Sequence, residues 1–171
     1  MSCGNKCGSG LSCDEKKVLA VAYLLPGAAR VVGAAAYRRF PEGVTFLKEC
    51  KKPAWVPERA ICYVSTYVIA MAPYGCAALL AYKAGGGCKN KMVAAGLGAQ
   101  TVSSLLSALP SPLALNKELK GAAVVSAAAA ASAVGAAIFF FKVSPKAALM
   151  VGPWALMHIY YCACFNAITP P

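Results

Sequence analysis

The chain has 171 residues, 59% of them hydrophobic and only 13% charged, with a mean hydropathy of +0.59. A soluble domain of this size is rarely so apolar. The net charge of +11 would suit nucleic acid, but Lys and Arg fall in short clusters between apolar runs and form no single basic face; they are assigned to membrane-surface loops, and no nucleic-acid partner is expected.

In chain order, residues 1–17, MSCGNKCGSGLSCDEKK, are Gly-, Ser- and Cys-rich and read as a flexible tail. They hold no apolar core ahead of a cleavage site, so they are not read as a signal peptide, and Ser2 in place of Gly excludes myristoylation. Cys3, Cys7 and Cys13 match no paired-cysteine zinc spacing and have no His nearby, so free thiols and no metal are expected. Five apolar segments follow at about 18–37, 60–82, 92–109, 121–141 and 147–168. Each is long enough to cross a bilayer, which takes roughly 20 helical residues. Turn residues punctuate them: Pro41-Glu42-Gly43 and residues 53–57, then Gly85-Gly86-Gly87, Pro110-Ser111-Pro112 and Ser144-Pro145. The segments lack the charged face of a soluble surface helix and the alternation of a membrane barrel. Residues 18–171 are therefore expected to form one all-α integral membrane domain, a bundle of five transmembrane helices. Only the first loop is long. Its basic residues Lys48, Lys51, Lys52 and Arg59, with Trp55 held between prolines, belong at the headgroup level. Positive charges tie across the two sides, so orientation does not follow from them.

Chemistry is sparse. The six acidic residues, Asp14, Glu15, Glu42, Glu49, Glu58 and Glu118, all lie in the tail or loops, and His158 is the one histidine. No carboxylate pair, phosphate loop or nucleophile triad is present, so no catalytic residue is assigned and the chain is read as not an enzyme. No carboxylate lies within the spans to serve proton coupling, which argues against a pump. Three features inside the spans carry two readings each. His158 is either a ligand contact or, the blander reading, a neutral imidazole bonded to a neighbouring helix. Arg30 is either the counter-charge of an anionic ligand or a side chain that snorkels or bonds carbonyls freed near Pro26. Ala127, Ala131 and Gly135 form a small-residue ridge, for internal packing or for contact with a second copy or a larger membrane complex.

KPAWVPE, the later AMAPYG and the closing YKAGG carry a resemblance. So do KVSP, at residues 142–145, and Pro153-Trp154 at matching spacing, together with VVSAAAAASAVGAA and Phe165-Asn166. The chain resembles the translocator protein family, also called the peripheral benzodiazepine receptor or tryptophan-rich sensory protein family, from about Tyr23 to the carboxyl end. That family has Lys-Pro-Ser-Trp in its first loop, Met-Gly-Tyr-Gly in its second helix and Gln-Val-Ser-Pro before its fifth. The departures fall on tryptophans. Residues 106–109 stand where the family has Asn-Trp-Ala-Trp, and Gly121 and Met157 where it has single tryptophans.

The resemblance implies a pocket between the helices, under the first loop, for a flat hydrophobic ligand such as a tetrapyrrole or a sterol, with no bound cofactor beyond such a ligand. Trp55, Tyr63, Tyr67, Tyr74, Met157, His158 and Tyr161 are its expected lining. Membrane lipids and a hydrophobic small molecule are the expected partners. A mitochondrial membrane, usually the outer one, is the implied location, with plastid or secretory-pathway membranes as alternatives. The competing expectation is a structural accessory subunit of a larger membrane complex that keeps the fold without ligand transport.

Overall fold

The computed structural model describes residues 11–58 and 60–171, without the side chains of residues 60 and 61. Cys3, Cys7, Lys6 and Arg59 lie outside the described residues. Five of the helices are long and apolar enough to cross a membrane. They are α1 (Cys13–Arg39), α3 (Ala60–Ala84), α6 (Leu119–Phe141), α7 (Pro145–Ala167) and a fifth span made of α4 (Lys91–Leu106) and the short α5 (Pro110–Leu115). A surface helix, α2 (Pro41–Glu49), follows α1. The all-α, five-span bundle expected from the sequence is what forms.

The first helix starts earlier than the sequence reading placed it, because the end of the expected tail carries its own start signal. Ser12 accepts from Glu15 N at 3.2 Å and its own N–H donates to Glu15 Oε2 at 2.7 Å, a reciprocal capping box that supplies two otherwise orphaned groups with partners. Asp14 and Glu15 also set negative charge at the positive end of the helix. Residues 13–17 are thus helical, and Glu15 reaches Lys83 at the far end of α3 at 3.8 Å.

The first loop differs too. Pro41-Glu42-Gly43, read as a turn, opens α2 instead, since proline at the first helical position has its φ pre-set and its missing N–H is not needed. Phe46 and Leu47 of α2 pack with Val56, Ala114, Leu119, Ala122, Cys164 and Ile168. The rest of the loop is tied to the carboxyl end: Lys51 and Thr169 exchange backbone hydrogen bonds of 3.0 Å each way. Cys50 is buried there, and burial pushes its thiol above the usual range, opposed by Lys52 and reinforced by Glu49.

The spans close into a ring, with α1 against α3, α3 against α7, α7 against α6, α6 against α4, and α4 back against α1. Lipid tails are as apolar as side chains, so close packing must hold the ring, and small residues permit it. Ala122, Ala123, Ser126, Ala129, Ala130, Ala133 and Ala136 form the buried face of α6, against Ala147, Ala148, Val151 and Ala155 among the buried residues of α7. Ala127 and Ala131 of the ridge noted above are exposed on the outside of α6. Three of the unbroken spanning helices carry interior prolines, at Pro26, Pro73 and Pro153. Beside the first, the Tyr67 hydroxyl donates to the Pro26 carbonyl at 2.6 Å, a side-chain bond that ties α3 to α1 at the level of the kink.

Two measurements check this architecture. A methyl group on Gly43 would run into the Leu115 backbone carbonyl, whereas one on Gly135 would meet no atom within 4 Å. Gly43→Ala is therefore expected to destabilise the detergent-solubilised protein by about 1–3 kcal/mol in a thermal melt, and Gly135→Ala to leave it unchanged or raise it slightly. For topology, Cys50 is a poor reporter because it is buried; a cysteine at the exposed Trp55 position replaces it. An impermeant maleimide should reach Trp55→Cys and the exposed Cys88 from opposite faces of a sealed vesicle; labelling of both from one face refutes the span count.

Candidate ligand cavity

A cavity of about 240 Å³ lies beneath the first loop, somewhat below the usual size of small-molecule sites. Four walls and a roof build it. Arg30 and Tyr37 come from α1, and Tyr63, Val64 and Tyr67 from α3. Ser107, Pro110, Ser111 and Ala114 come from the α4–α5 break, and His158, Tyr161 and Phe165 from α7. Val44, Leu47 and Lys48 of α2, with Lys52, Pro57 and Glu58, make the roof.

Each wall has a local cause. Tyr63 and Tyr67 are four residues apart on α3, and His158 and Tyr161 three apart on α7, so each pair shares a helix face. The α4–α5 wall exists because Pro110 and Pro112 have no N–H to continue the helix. The chain passes through 107–109 on tighter bonds, Ala108 N to Leu105 O and Leu109 N to Leu106 O, which opens room beside Ser107.

Aromatic rings run from the floor of this cavity to the membrane surface. Trp154 stacks on Tyr74 with centroids 4.4 Å apart and planes 10° apart. Its edges meet Tyr67 at 5.0 Å and His158 at 5.1 Å. His158 leads to Tyr161 at 6.1 Å, and Tyr161 to Tyr63 at 5.8 Å and Tyr160 at 6.1 Å. Tyr160 packs edge-on to Trp55 at 6.2 Å and donates to its carbonyl at 3.3 Å.

Of the residues expected from the sequence, Tyr63, Tyr67, His158 and Tyr161 come together around the cavity. Trp55, Tyr74 and Met157 do not border it. Trp55 sits half-exposed outside the roof, and Met157 is buried in the main core. Tyr74 belongs to a polar lattice below: its hydroxyl donates to Gln100 O at 2.8 Å, and Gln100 Nε2 donates to Tyr74 O at 2.7 Å. Trp154, spaced as the family's Pro-Tyr, is a core residue whose Nε1 donates to Ser103 Oγ at 3.0 Å. Lys48, Lys52, Glu58 and Ser107 also line the cavity, beyond the residues expected from the sequence. Their position follows from the loop folding inward as α2 and from the kink before Pro110, neither of which leaves a periodic signal.

The two polar groups read two ways resolve differently from the blander expectation. Arg30 neither snorkels nor bonds a carbonyl of its own helix among the described residues; it turns to α3 and α7. Its Nη2 donates to Tyr63 O and to the Tyr161 hydroxyl, both at 3.3 Å, and its guanidinium lies 3.5 Å over the Tyr67 ring. Tyr161 in turn donates to Tyr63 O at 2.9 Å. His158 is 1% exposed, and among the described residues neither ring nitrogen has a hydrogen-bond partner. The arrangement offers an apolar and aromatic slot with a cation and an imidazole at one side. That suits binding of an amphipathic molecule.

No curated protein and no solved structure matches the chain. The family model described as TspO/MBR matches residues 20–168, nearly the whole membrane domain, including the first loop and both ends of the ring of spans. With five spans, the loop folded over the cavity and that match, the chain belongs to the TspO/MBR family.

Proposed function

We propose that the protein binds a flat hydrophobic ligand, of the tetrapyrrole or sterol class, in the cavity under the first loop. The observation that carries this reading is the partly enclosed space lined by Tyr63, Tyr67, Phe165 and apolar side chains within the thickness of a spanning bundle. Tyr37 and Val64 border it from α1 and α3 and are themselves about half exposed on the outside of the ring, at 45% and 46%. A ligand dissolved in the bilayer therefore enters sideways between α1 and α3. The bound molecule lies flat against the Tyr63 ring, whose face adds about 0.5–1.5 kcal/mol beyond area burial.

The same lining supports binding without turnover. Its one imidazole has no carboxylate beside it to set up acid–base relay, and Glu58 stands at the roof. Family membership suggests a mitochondrial membrane, usually the outer one, and the exposed Ala127 and Ala131 ridge would seat a second copy or a larger assembly.

Three outcomes test the reading. Titration of the protein in lipid nanodiscs with protoporphyrin IX should quench tryptophan emission saturably beyond the effect on empty discs. Ser111→Phe, which places a ring in a cavity of about 240 Å³, should weaken that binding at least tenfold, about 1.4 kcal/mol, while the melting temperature stays near that of the unaltered chain. Trp55→Phe should keep most of the saturable signal, because the Trp154 ring packs on two lining residues, Tyr67 and His158, whereas the Trp55 ring packs on Tyr160, which is not in the lining. Quenching that is insensitive to Ser111→Phe places the ligand elsewhere.

A further inference from the structure

The seam between α1 and α4 holds a second cavity, of about 230 Å³, in the half of the bundle away from the first loop. One wall runs along α1 from Lys17 to Leu25, the other along α4 from Leu97 to Ser104, and Ala78 of α3 completes the lining. Lys17 stands at the mouth, exposed and paired with Asp14 at 3.3 Å. From there the groove follows eight residues of α1, roughly 12 Å, which is nearly half of a hydrocarbon core about 30 Å thick. No carboxylate lines it.

Gln100 belongs to the inner part of this groove, nine residues beyond Lys91 at the start of α4. Its side chain is 4% exposed, and its Oε1 has no hydrogen-bond partner among the described residues. Turning the amide over does not cure this, because Nε2 is the end that donates to the Tyr74 carbonyl, at 2.7 Å. The neighbouring hydroxyls on the same face of α4 have no proton to lend. Thr101 donates to Leu97 O at 2.9 Å and Ser104 to Gln100 O at 3.0 Å. The inner wall therefore offers acceptor oxygen, with its hydroxyl donors already spent. Buried polar atoms in proteins are almost always bonded, so Oε1 calls for a donor from outside the chain.

Depth and size select that donor. A phospholipid keeps its polar groups at the surface, so the donor belongs to a molecule that dissolves in the hydrocarbon core. An ammonium would find no carboxylate to pair with, and an anion would meet acceptors at the inner end; a neutral hydroxyl meets neither objection. A volume of about 230 Å³ falls below the roughly 300–1,000 Å³ of sites for drug-sized molecules. It suits a single chain and excludes a fused-ring body.

We infer that the groove between α1 and α4 is a second binding site, for a neutral alcohol on a slender apolar chain whose hydroxyl donates to Gln100 Oε1. It shares no lining residue with the cavity under the first loop, so it stands or falls apart from the porphyrin titration.

The test compares an alcohol with its own methyl ether, which has the same chain and no donor. Dodecanol carrying a mid-chain diazirine, and the methyl ether of that compound, are photolysed with the full chain in phosphatidylcholine nanodiscs, and the labelled residues are located by peptide mass spectrometry. The alcohol should label residues 18–25 and 97–104 saturably, with competition by plain dodecanol, at concentrations on the order of tenfold lower than the ether needs. Gln100→Met, which keeps the length of the side chain and removes the acceptor, should bring the alcohol down to the level of the ether. Ala22→Phe, which fills the groove from α1, should abolish this labelling by both compounds and leave porphyrin quenching unchanged. Melting temperatures report whether the variants fold; if Gln100→Met does not, the alcohol-to-ether ratio of the unaltered chain and Ala22→Phe decide. Equal labelling by alcohol and ether overturns the inference, as does labelling that never saturates or that survives Ala22→Phe.

Discussion

The indole of Trp154 is the fixed point of the bundle. Its Nε1 donates to Ser103 of α4, and that serine donates onward to the Ala129 carbonyl of α6 at 2.8 Å. Its ring stacks on Tyr74 of α3, whose hydroxyl returns to α4 at Gln100 O. One side chain of α7 thereby joins three other helices, in a place where apolar burial alone gives no preference for one helix neighbour over another. Every polar atom in that lattice would otherwise face hydrocarbon, so each bond fixes a distance between helices more firmly than its net strength in water suggests. Substituting Trp154 by a smaller apolar residue would leave the Ser103 hydroxyl its carbonyl partner, but it would remove the ring on which Tyr74, Tyr67 and His158 all lean.

The cavity is the region just above that lattice where the packing stops. On α3, Tyr74 lies seven residues beyond Tyr67 on the same face, about 10.5 Å further along the helix. At that level the indole fills the space between α3 and α7; one level higher it does not, and Tyr67, His158 and Tyr161 border a gap. The cavity wall is therefore set by where one large ring ends. The small residues of α6 and α7 bring those helices together on one side of the ring of spans. On the other side, α1 also buries small residues, Pro26, Ala29, Gly33 and Ala36, while Arg30 and Tyr37 border the cavity.

Much of this was readable before any coordinates, for a physical reason. Uncharged runs of spanning length have few places to go other than a bilayer, so the five spans and the Pro-rich punctuation follow from composition. The helical faces that bring Tyr63 to Tyr67 and His158 to Tyr161 follow from spacing. What spacing does not carry is depth. Tyr74 shares its face with Tyr67, yet it serves the core. Met157, one residue from His158, is turned about 100° around α7 and is buried in the main core. The Pro41 segment reads equally as a turn or a helix start, and only the packing of Phe46 and Leu47 against the carboxyl-terminal cluster distinguishes them. Trp55 drew attention because tryptophan favours membrane interfaces, and its half-exposed ring outside the roof agrees with that preference.

The roof and the walls also differ in how firmly they are held, and this bears on the route into the cavity. Three contacts pin the roof: Gly43 against the Leu115 backbone, the Lys51–Thr169 bridge, and the Tyr160 hydroxyl on the Trp55 carbonyl. Opening it would break all three and expose Val56 and Ile168, which are now buried. The α1–α3 side is lighter. Near the cavity it rests on Tyr67 bonded to Pro26 O and on the long bonds of Arg30 to Tyr63 O and the Tyr161 hydroxyl, with Val64 already facing outward. Pro26 leaves α1 without one backbone hydrogen bond at that height, so α1 can bend there at lower cost than the roof can lift. A ligand that draws Arg30 away from Tyr63 and Tyr161 loosens the very contacts that close this side, so entry and binding would draw on the same set of bonds.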